Sequence, residues 1–252
     1  MFAAAAIALT GCAANETDTD TSTSESGSSS ALSGQLAGVG ASSQGSAEDA
    51  WIAAFQSANP DVTVTYSPDG SGAGREAFIA GGADFAGSDS ALSDDELTST
   101  FEGCAADATA IEFPVYISPI AVVYNVEGVD NLNLDAETLA KIFSGEITNW
   151  NDEAIAALNE GVTLPDATIT AVHRSDDSGT TKNFTDYLSQ VAGDAWGEEA
   201  SDTFPFESGE GAKGTSGVID AVTNGTNTIG YADFSKAGDL TIANIKVGDE
   251  YV

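Results

Sequence analysis

Ile169-Thr170-Ala171-Val172-His173-Arg174-Ser175-Asp176-Asp177-Ser178-Gly179-Thr180 joins two kinds of periodicity within twelve residues. Ile169 to Val172 is short, apolar and β-branched, and reads as a strand. From Ser178 to Val191 the residues Phe184, Tyr187, Leu188 and Val191 fall at offsets of three, four and seven, which is one stripe of a helix. Between them lies a small polar turn. A strand that hands over to a helix through such a turn is half of an α/β layer.

The same motif recurs on the N-terminal side. Leu36 to Gly40 reads as a strand, and Gly38-Val39-Gly40-Ala41-Ser42-Ser43 leads from it toward a helix over Glu48 to Ser57. That helix carries Trp51, Ala54, Phe55 and Ala58 on one face, and Asn59-Pro60 stops it. Val62 to Tyr66 alternates as a strand does, Pro68 to Gly74 is a turn, and a helix follows through Phe78 and Ile79. Asp84-Phe85-Ala86 is a short strand ending in Gly87-Ser88-Asp89.

Toward the C-terminus, Ile111 to Val126 is β-branched and aromatic, with Pro114 and Pro119 inside it, and is long enough to cross between two lobes. Asp135 is suited to cap a helix through Leu139, Ile142 and Phe143. Val218, Ile219 and Val222 mark another helix, and Ile229-Gly230-Tyr231 a last strand. The fold class expected from this alternation is α/β.

Charge restricts the function. Of 252 residues, 40 are Asp or Glu and 7 are Lys or Arg, for a formal net charge of -33. A nucleic-acid binder needs a basic stripe to displace counterions, and none can be assembled here. Broad attraction to anionic membrane surfaces is excluded for the same reason. An anion could be held only locally, by hydrogen bonds and helix N-termini whose reach is short.

The N-terminal region differs in kind. Phe2 to Leu9 is an apolar run too short to span a bilayer, and it has the character of a secretory h-region, although no Lys or Arg precedes it. Leu9-Thr10-Gly11-Cys12 resembles the lipobox of bacterial lipoproteins, which would make Cys12 the lipidated N-terminus of the mature chain. Residues 13–31 are almost devoid of large apolar side chains and read as a solvated tether. This implies an extracytoplasmic protein held to the cell membrane by Cys12. Cys104 is read as a buried thiol.

The turns themselves suggest a site. Each places unpaired N–H groups and about half a positive charge at a helix start. Hydroxyls of Ser42, Ser71, Ser178 and Thr180 add hydrogen-bond capacity. Any one of these turns is also an ordinary structural feature: Ser71 to Gly74 a plain turn, Ser42 a helix cap. Arg174 adds a guanidinium whose planar fork suits phosphate oxygens, and Asp176 stands two residues on to orient it. The same two residues could be a plain surface pair. The other arginine, Arg75, opens a helix and is expected to be a solvated side chain. Asp89, at its strand end, could accept the proton that phosphate carries at neutral pH and repel sulfate, or could simply cap a helix over Asp94 to Leu97.

These motifs together resemble the phosphate-binding proteins of high-affinity phosphate ABC importers. Arg174-Ser-Asp-Asp-Ser-Gly-Thr is similar to that family's Arg-Ser-Asp-x-Ser-Gly-Thr loop. Gly70-Ser-Gly-Ala-Gly74, Asp84-Phe-Ala-Gly-Ser-Asp89, Ile142-Phe-Ser-Gly-Glu-Ile-Thr-Asn-Trp150 and Ile229-Gly-Tyr231 are family-like as well. The matches run from Leu36 to about Ser235.

The resemblance implies a type II periplasmic-binding-protein fold, two-lobed with crossing hinge strands. Residues 32–115 would form lobe 1, 116–226 lobe 2, and 227–252 an incomplete return to lobe 1, because the family continues beyond the position of Val252 in a C-terminal portion missing here. It implies inorganic phosphate as ligand and membrane permease subunits as partners, with no cofactor and no metal. Ser42 would contribute a hydroxyl, Ser43 a backbone N–H, Ser71 its hydroxyl and N–H, and Asp89 a proton acceptor. Arg174 would bring the charged contact, oriented by Asp176, and Ser178, Gly179 and Thr180 the helix-end donors. Ser43 stands where the family often has an aromatic residue, and Asp177 replaces a glycine, adding a negative charge beside the anion.

Three rivals stand beside this reading. One is a binder of sulfate, molybdate or a small carboxylate. Another is a surface phosphate sensor or adhesin on the same fold. The third is a secreted hydrolase using Ser178 or Ser71 with His173, the single histidine; His173 and Arg174 should point to opposite faces of their strand, and no Gly-x-Ser-x-Gly elbow is present.

Overall fold

The computed structural model describes residues 32–106 and 108–252. The lipobox at Cys12 and the tether over 13–31 lie outside the described residues.

The chain opens with β1 (Gly34–Gly40), α1 (Gly45–Ala58), β2 (Val62–Ser67), α2 (Ser71–Ile79), β3 (Phe85–Gly87) and the short α3 (Asp94–Leu97). β1 lies between β2 and β3, and both pairings are parallel. The parallel order follows from the helices that cross between the strands.

Three expectations for this part fail. Trp51, Ala54, Phe55 and Ala58 of α1 are exposed, and the buried residue of that helix is Glu48. The helix rests on β2 through the other side, because the narrow three-stranded sheet offers no second layer to cover the apolar stripe. The turn expected over Pro68 to Gly74 ends sooner, since α2 begins at Ser71. Asp89 does not cap α3; Ser93 does, in a reciprocal capping box with Glu96.

After an extended run come β4 (Ile120–Asn125), β5 (Asn133–Leu134), α4 (Ala136–Ser144), α5 (Glu153–Leu158), β6 (Thr170–Arg174), α6 (Gly179–Val191), α7 (Gly193–Trp196), β7 (Glu210–Ala212), α8 (Gly214–Asn224) and β8 (Thr228–Asp233). The last strands are β9 (Thr241–Ile242), β10 (Asn244–Val247) and β11 (Glu250–Tyr251). A five-stranded sheet runs β7-β6-β8-β4-β9, parallel across β7, β6 and β8 and antiparallel where β4 meets β8 and β9. A small sheet runs β11-β10-β5.

Residues 227–252, expected to return to the first lobe, pair here with this second half. β8 is buried at all six positions and needs a partner on each edge, which β4 and β6 supply. β10 pairs with β5.

Alternation sorts the side chains into two cores. Val122 and Tyr124 face the larger cluster, with Phe143, Trp150, Phe184, Leu188, Trp196 and Tyr231. Ala121 and Val123 face the other, with Val172, Val218 and Val222. Phe184 stacks on Tyr231 with ring centroids 4.2 Å apart. Each such buried side chain contributes about 1.5–3 kcal/mol. Val191, placed on the helix stripe by its spacing, is exposed at the C-terminal end of α6. Asp135 caps α4 as its position foretold, accepting the Thr138 N–H at 2.8 Å. Cys104 is a free, half-buried thiol. No helix among the described residues is long and apolar enough to cross a membrane.

Candidate functional site

The site is built where α2 and α6 begin. Ser178 caps α6, its Oγ accepting the Thr181 N–H at 3.2 Å. Thr180 and Ser71 are both buried at the starts of their helices. Gly70, just ahead of α2, has φ +111°, and a Cβ there would lie 2.7 Å from Asp176 Oδ2. A larger residue at Gly70 would therefore be strained and would also push the two turns apart. The Gly72 N–H donates to the Asp177 carbonyl at 3.2 Å, so the turn before α2 packs directly on the turn before α6.

Arg174 ends β6 and is 3% exposed. Its Nε donates to Asp176 Oδ1 at 2.8 Å, and its second nitrogen pairs with Asp176 Oδ2. The Gly214 N–H at the start of α8 also donates to Asp176 Oδ1, at 2.9 Å. Burial alone would raise the Asp176 pKa. The hydrogen bonds from Arg174 and Gly214, with the guanidinium charge, outweigh it and hold Asp176 below the usual carboxylate range. The Arg174 N–H donates to the Tyr231 hydroxyl at 3.3 Å, and that hydroxyl shares a hydrogen bond with Thr181 at 2.8 Å. Burial pushes Tyr231 up to about 12, so the hydroxyl keeps its proton.

Asp89 joins the two halves. Ser43 Oγ donates to its Oδ1 at 2.6 Å, and Thr180 Oγ1 donates to its Oδ2 at 2.8 Å. The Asp89 N–H donates to Ser71 Oγ at 3.2 Å, and Asn183 Nδ2 donates to its carbonyl at 2.9 Å. A carboxylate that accepts two hydroxyl protons still has acceptor positions left for a third. A cavity of about 450 Å³ opens beside it, with Ser43, Asp89, Thr180 and Asn183 among its walls.

Of the residues singled out by sequence, Ser43, Ser71, Asp89, Arg174, Asp176, Ser178, Gly179 and Thr180 lie in this one constellation. Ser42 does not share their contacts. Its Oγ lies 3.0 Å from Thr215 Oγ1 and accepts the Thr215 N–H at 3.0 Å, which ties the turn before α1 to the start of α8. Asp177 turns its carboxylate outward, where Oδ1 accepts from Thr203 Oγ1 at 2.6 Å. His173 stacks on Phe204 at 4.0 Å, with its Nδ1 2.9 Å from the Arg174 carbonyl oxygen.

Arg75 overturns its expectation. It is 8% exposed and pairs with Glu96 and Asp202. A guanidinium near a helix start is tolerated because two carboxylates neutralise it. Sequence reasoning also missed Thr215 and Asp202. Lys213-Gly214-Thr215 carried a legible signal, being one more strand-to-helix turn with glycine. Asp202 lies in an irregular segment, 127 residues from Arg75, and carried none.

Comparison with known proteins bears on the family and the fold. Residues 22–251 match the PBP superfamily domain. The chain is 44% identical over 208 residues to phosphate-binding protein PstS 3 of Mycobacterium tuberculosis, covering 82% of this chain and 56% of that protein. It is 40% identical over 215 residues to phosphate-binding protein PstS 2 of the same species, covering 84% and 58%. The chain thus spans little more than half the length of the curated relatives it matches. Among solved structures, a phosphate-binding protein from Stenotrophomonas maltophilia superposes with a TM-score of 0.67 at 23% identity, covering 85% of this chain and 65% of the other. A high-affinity periplasmic phosphate-binding protein bound with phosphate superposes with a TM-score of 0.66 at 23% identity, covering 85% and 62%. With the domain match extending over nearly the whole described chain, the protein belongs to the PBP superfamily.

Proposed function

We propose that this chain is the ligand-binding part of an extracytoplasmic protein that captures inorganic phosphate and delivers it to the permease subunits of an ABC importer. The observation that carries the reading is the Asp89 carboxylate, a proton acceptor set between hydroxyls from two strand-to-helix turns and close to the helix start that follows Arg174. Phosphate needs both kinds of group, because it accepts from many donors and still carries a proton of its own. Sulfate carries none at neutral pH and would meet Asp89 as one negative charge meets another.

In this reading the β1–β3 sheet with its helices is one lobe, and the five-stranded sheet with α4, α6 and α8 is the other. The first contributes Ser43, Ser71 and Asp89; the second contributes Arg174, Asp176, Ser178, Gly179 and Thr180. Ser42, offered by the resemblance as a hydroxyl donor, also bonds Thr215 of the second lobe, its Oγ accepting the Thr215 N–H. Donors on both lobes favour the closed arrangement in proportion to their contacts with the ligand. The net charge of -33 acts against capture, so affinity comes from short-range hydrogen bonds and the helix ends. Cys12 is the lipid-bearing residue in the same reading.

A binding protein, not a hydrolase, is supported by the use of Ser178 Oγ as a helix cap and by His173 resting on Phe204. Calorimetric titration with phosphate and with sulfate tests the proposal. Phosphate should bind and sulfate should not compete; equal affinity for the two would remove the role given to Asp89. Arg174→Ala should raise Kd by at least about tenfold, since each charge-assisted hydrogen bond contributes roughly 1.5–3 kcal/mol. An unchanged Kd would take Arg174 out of the site.

A further inference from the structure

Between α2 and α6 lies a group of charges that belongs to neither half of the anion site, yet joins them. Arg75 sits one turn into α2, with its side chain 9% exposed. Its Nε donates to Glu96 Oε1 at 2.9 Å, and one terminal nitrogen donates to Ser90 Oγ at 2.9 Å and Ser88 Oγ at 3.2 Å. The other terminal nitrogen pairs with Asp202.

Asp202 is fixed to α6. Its carbonyl accepts the Ser178 N–H at 3.0 Å. The preceding Ser201 N–H donates to Thr185 Oγ1 on α6 at 2.9 Å, and the Thr185 hydroxyl lies 3.1 Å from the Ser201 carbonyl. Asp202 Oδ1 lies 3.8 Å from Lys182 Nζ, also on α6. The Arg75–Asp202 pair therefore ties together the two helices whose first residues, Ser71 and Gly179, flank Asp89.

The arrangement of charges suits a contact that is made and broken. Arg75 and Glu96 lie on the side of the first sheet; Asp202 and Lys182 lie on the side of α6. Each ion has a counter-ion within its own half, so separation of the halves leaves neither charge buried alone. Abandoning a buried charge is the costly outcome that makes most buried pairs irreversible joints. Closed, the four ions sum to zero and shield two positive helix starts from each other.

We propose that Arg75 and Asp202 are positioning residues forming a latch that holds the two halves closed over the anion and sets its release rate without touching it. The inference rests on the phosphate-clamp reading above. The test uses the full chain as wild type, Asp202→Asn, Arg75→Gln and the double variant, with release of radiolabelled phosphate and thermal unfolding in both ligand states as readouts.

Either single variant should release phosphate about 10- to 100-fold faster, with association changed far less, because loss of one partner in a desolvated pair acts on dissociation. The double variant should be no worse than the poorer single one, the mark of a direct coupling. The ligand-free melting temperature of Asp202→Asn should stay within about 2 °C of wild type, since a surface-like change costs little once the halves are apart. Unchanged release in Asp202→Asn would overturn the latch while leaving the phosphate reading intact. A ligand-free melting temperature that falls as far as the loaded one would also overturn it, by making the pair a support of the fold. A wild-type chain that binds no phosphate would end both readings at once.

Discussion

Gly179 is the first residue of α6, and nothing in its own conformation demands a glycine, for its φ lies in the ordinary negative range. What excludes a side chain is the neighbour across the site. A Cβ at Gly179 would stand 2.7 Å from Asp89 Cβ, 2.8 Å from Ser71 Oγ and 3.0 Å from the Asp89 carbonyl carbon. The serine hydroxyl can rotate away, but the Asp89 backbone cannot without moving β3. Gly179→Ala therefore has opposite effects on two states. In a ligand-free protein whose halves have separated, alanine is the better helix residue, by up to about 1 kcal/mol, and it also narrows the unfolded ensemble. In the closed state the extra methyl overpacks the contact at a cost of roughly 1–3 kcal/mol. That cost raises the phosphate Kd by about 5- to 150-fold. The ligand-free melting temperature should meanwhile hold steady or rise by about 1–4 °C, at roughly 2–4 °C per kcal/mol for a chain of this size. Calorimetric titration together with differential scanning calorimetry, with and without phosphate, reads both effects. A variant that binds phosphate as tightly as wild type would refute the reasoning, for it would mean that Asp89 and α6 do not approach this closely in the bound state. A ligand-free protein that melts many degrees lower would refute it differently, by showing the contact to be permanent.

Two further outcomes are expected. Asp177→Asn should leave phosphate affinity within about threefold of wild type, because the carboxylate is exposed and turned onto Thr203, where solvent screens it; a gain of tenfold or more by calorimetry would show that its charge opposes the anion after all. Glu48→Gln should raise the melting temperature at pH 7.5 and give a smaller gain at pH 4. Burial raises the Glu48 pKa against the opposing hydrogen bond from Gln44, so ionisation above that raised value weakens the fold, and at low pH the group is already neutral in both states. A variant less stable than wild type at pH 7.5 would contradict the sign of this argument.

The residues that drew attention in the sequence were legible because their roles are local. Asp135 and Ser178 cap helices that start next to them, and Arg174 meets Asp176 two residues on. Such features follow from the spacing of neighbours along the chain, so period and turn chemistry were enough to place them. The helix over Gly45–Ala58 shows the limit, for its apolar stripe was correctly read as a stripe and yet stays exposed while Glu48 is buried. Periodicity says that a face exists, and only the neighbouring layers decide whether it is covered.

The sequence by itself determined the α/β alternation, the Gly- and Ser-rich helix starts and the scarcity of cations, because these are properties of short segments and of composition. The tertiary structure alone decided that Arg75 meets Asp202 across 127 residues and that Ser42 meets Thr215 across 173. It also decided that Thr228–Asp233 completes the five-stranded sheet. Those outcomes depend on which surfaces become neighbours when the sheets assemble, and a buried charge or hydroxyl is satisfied by whatever group is closest in space, whatever their separation along the chain.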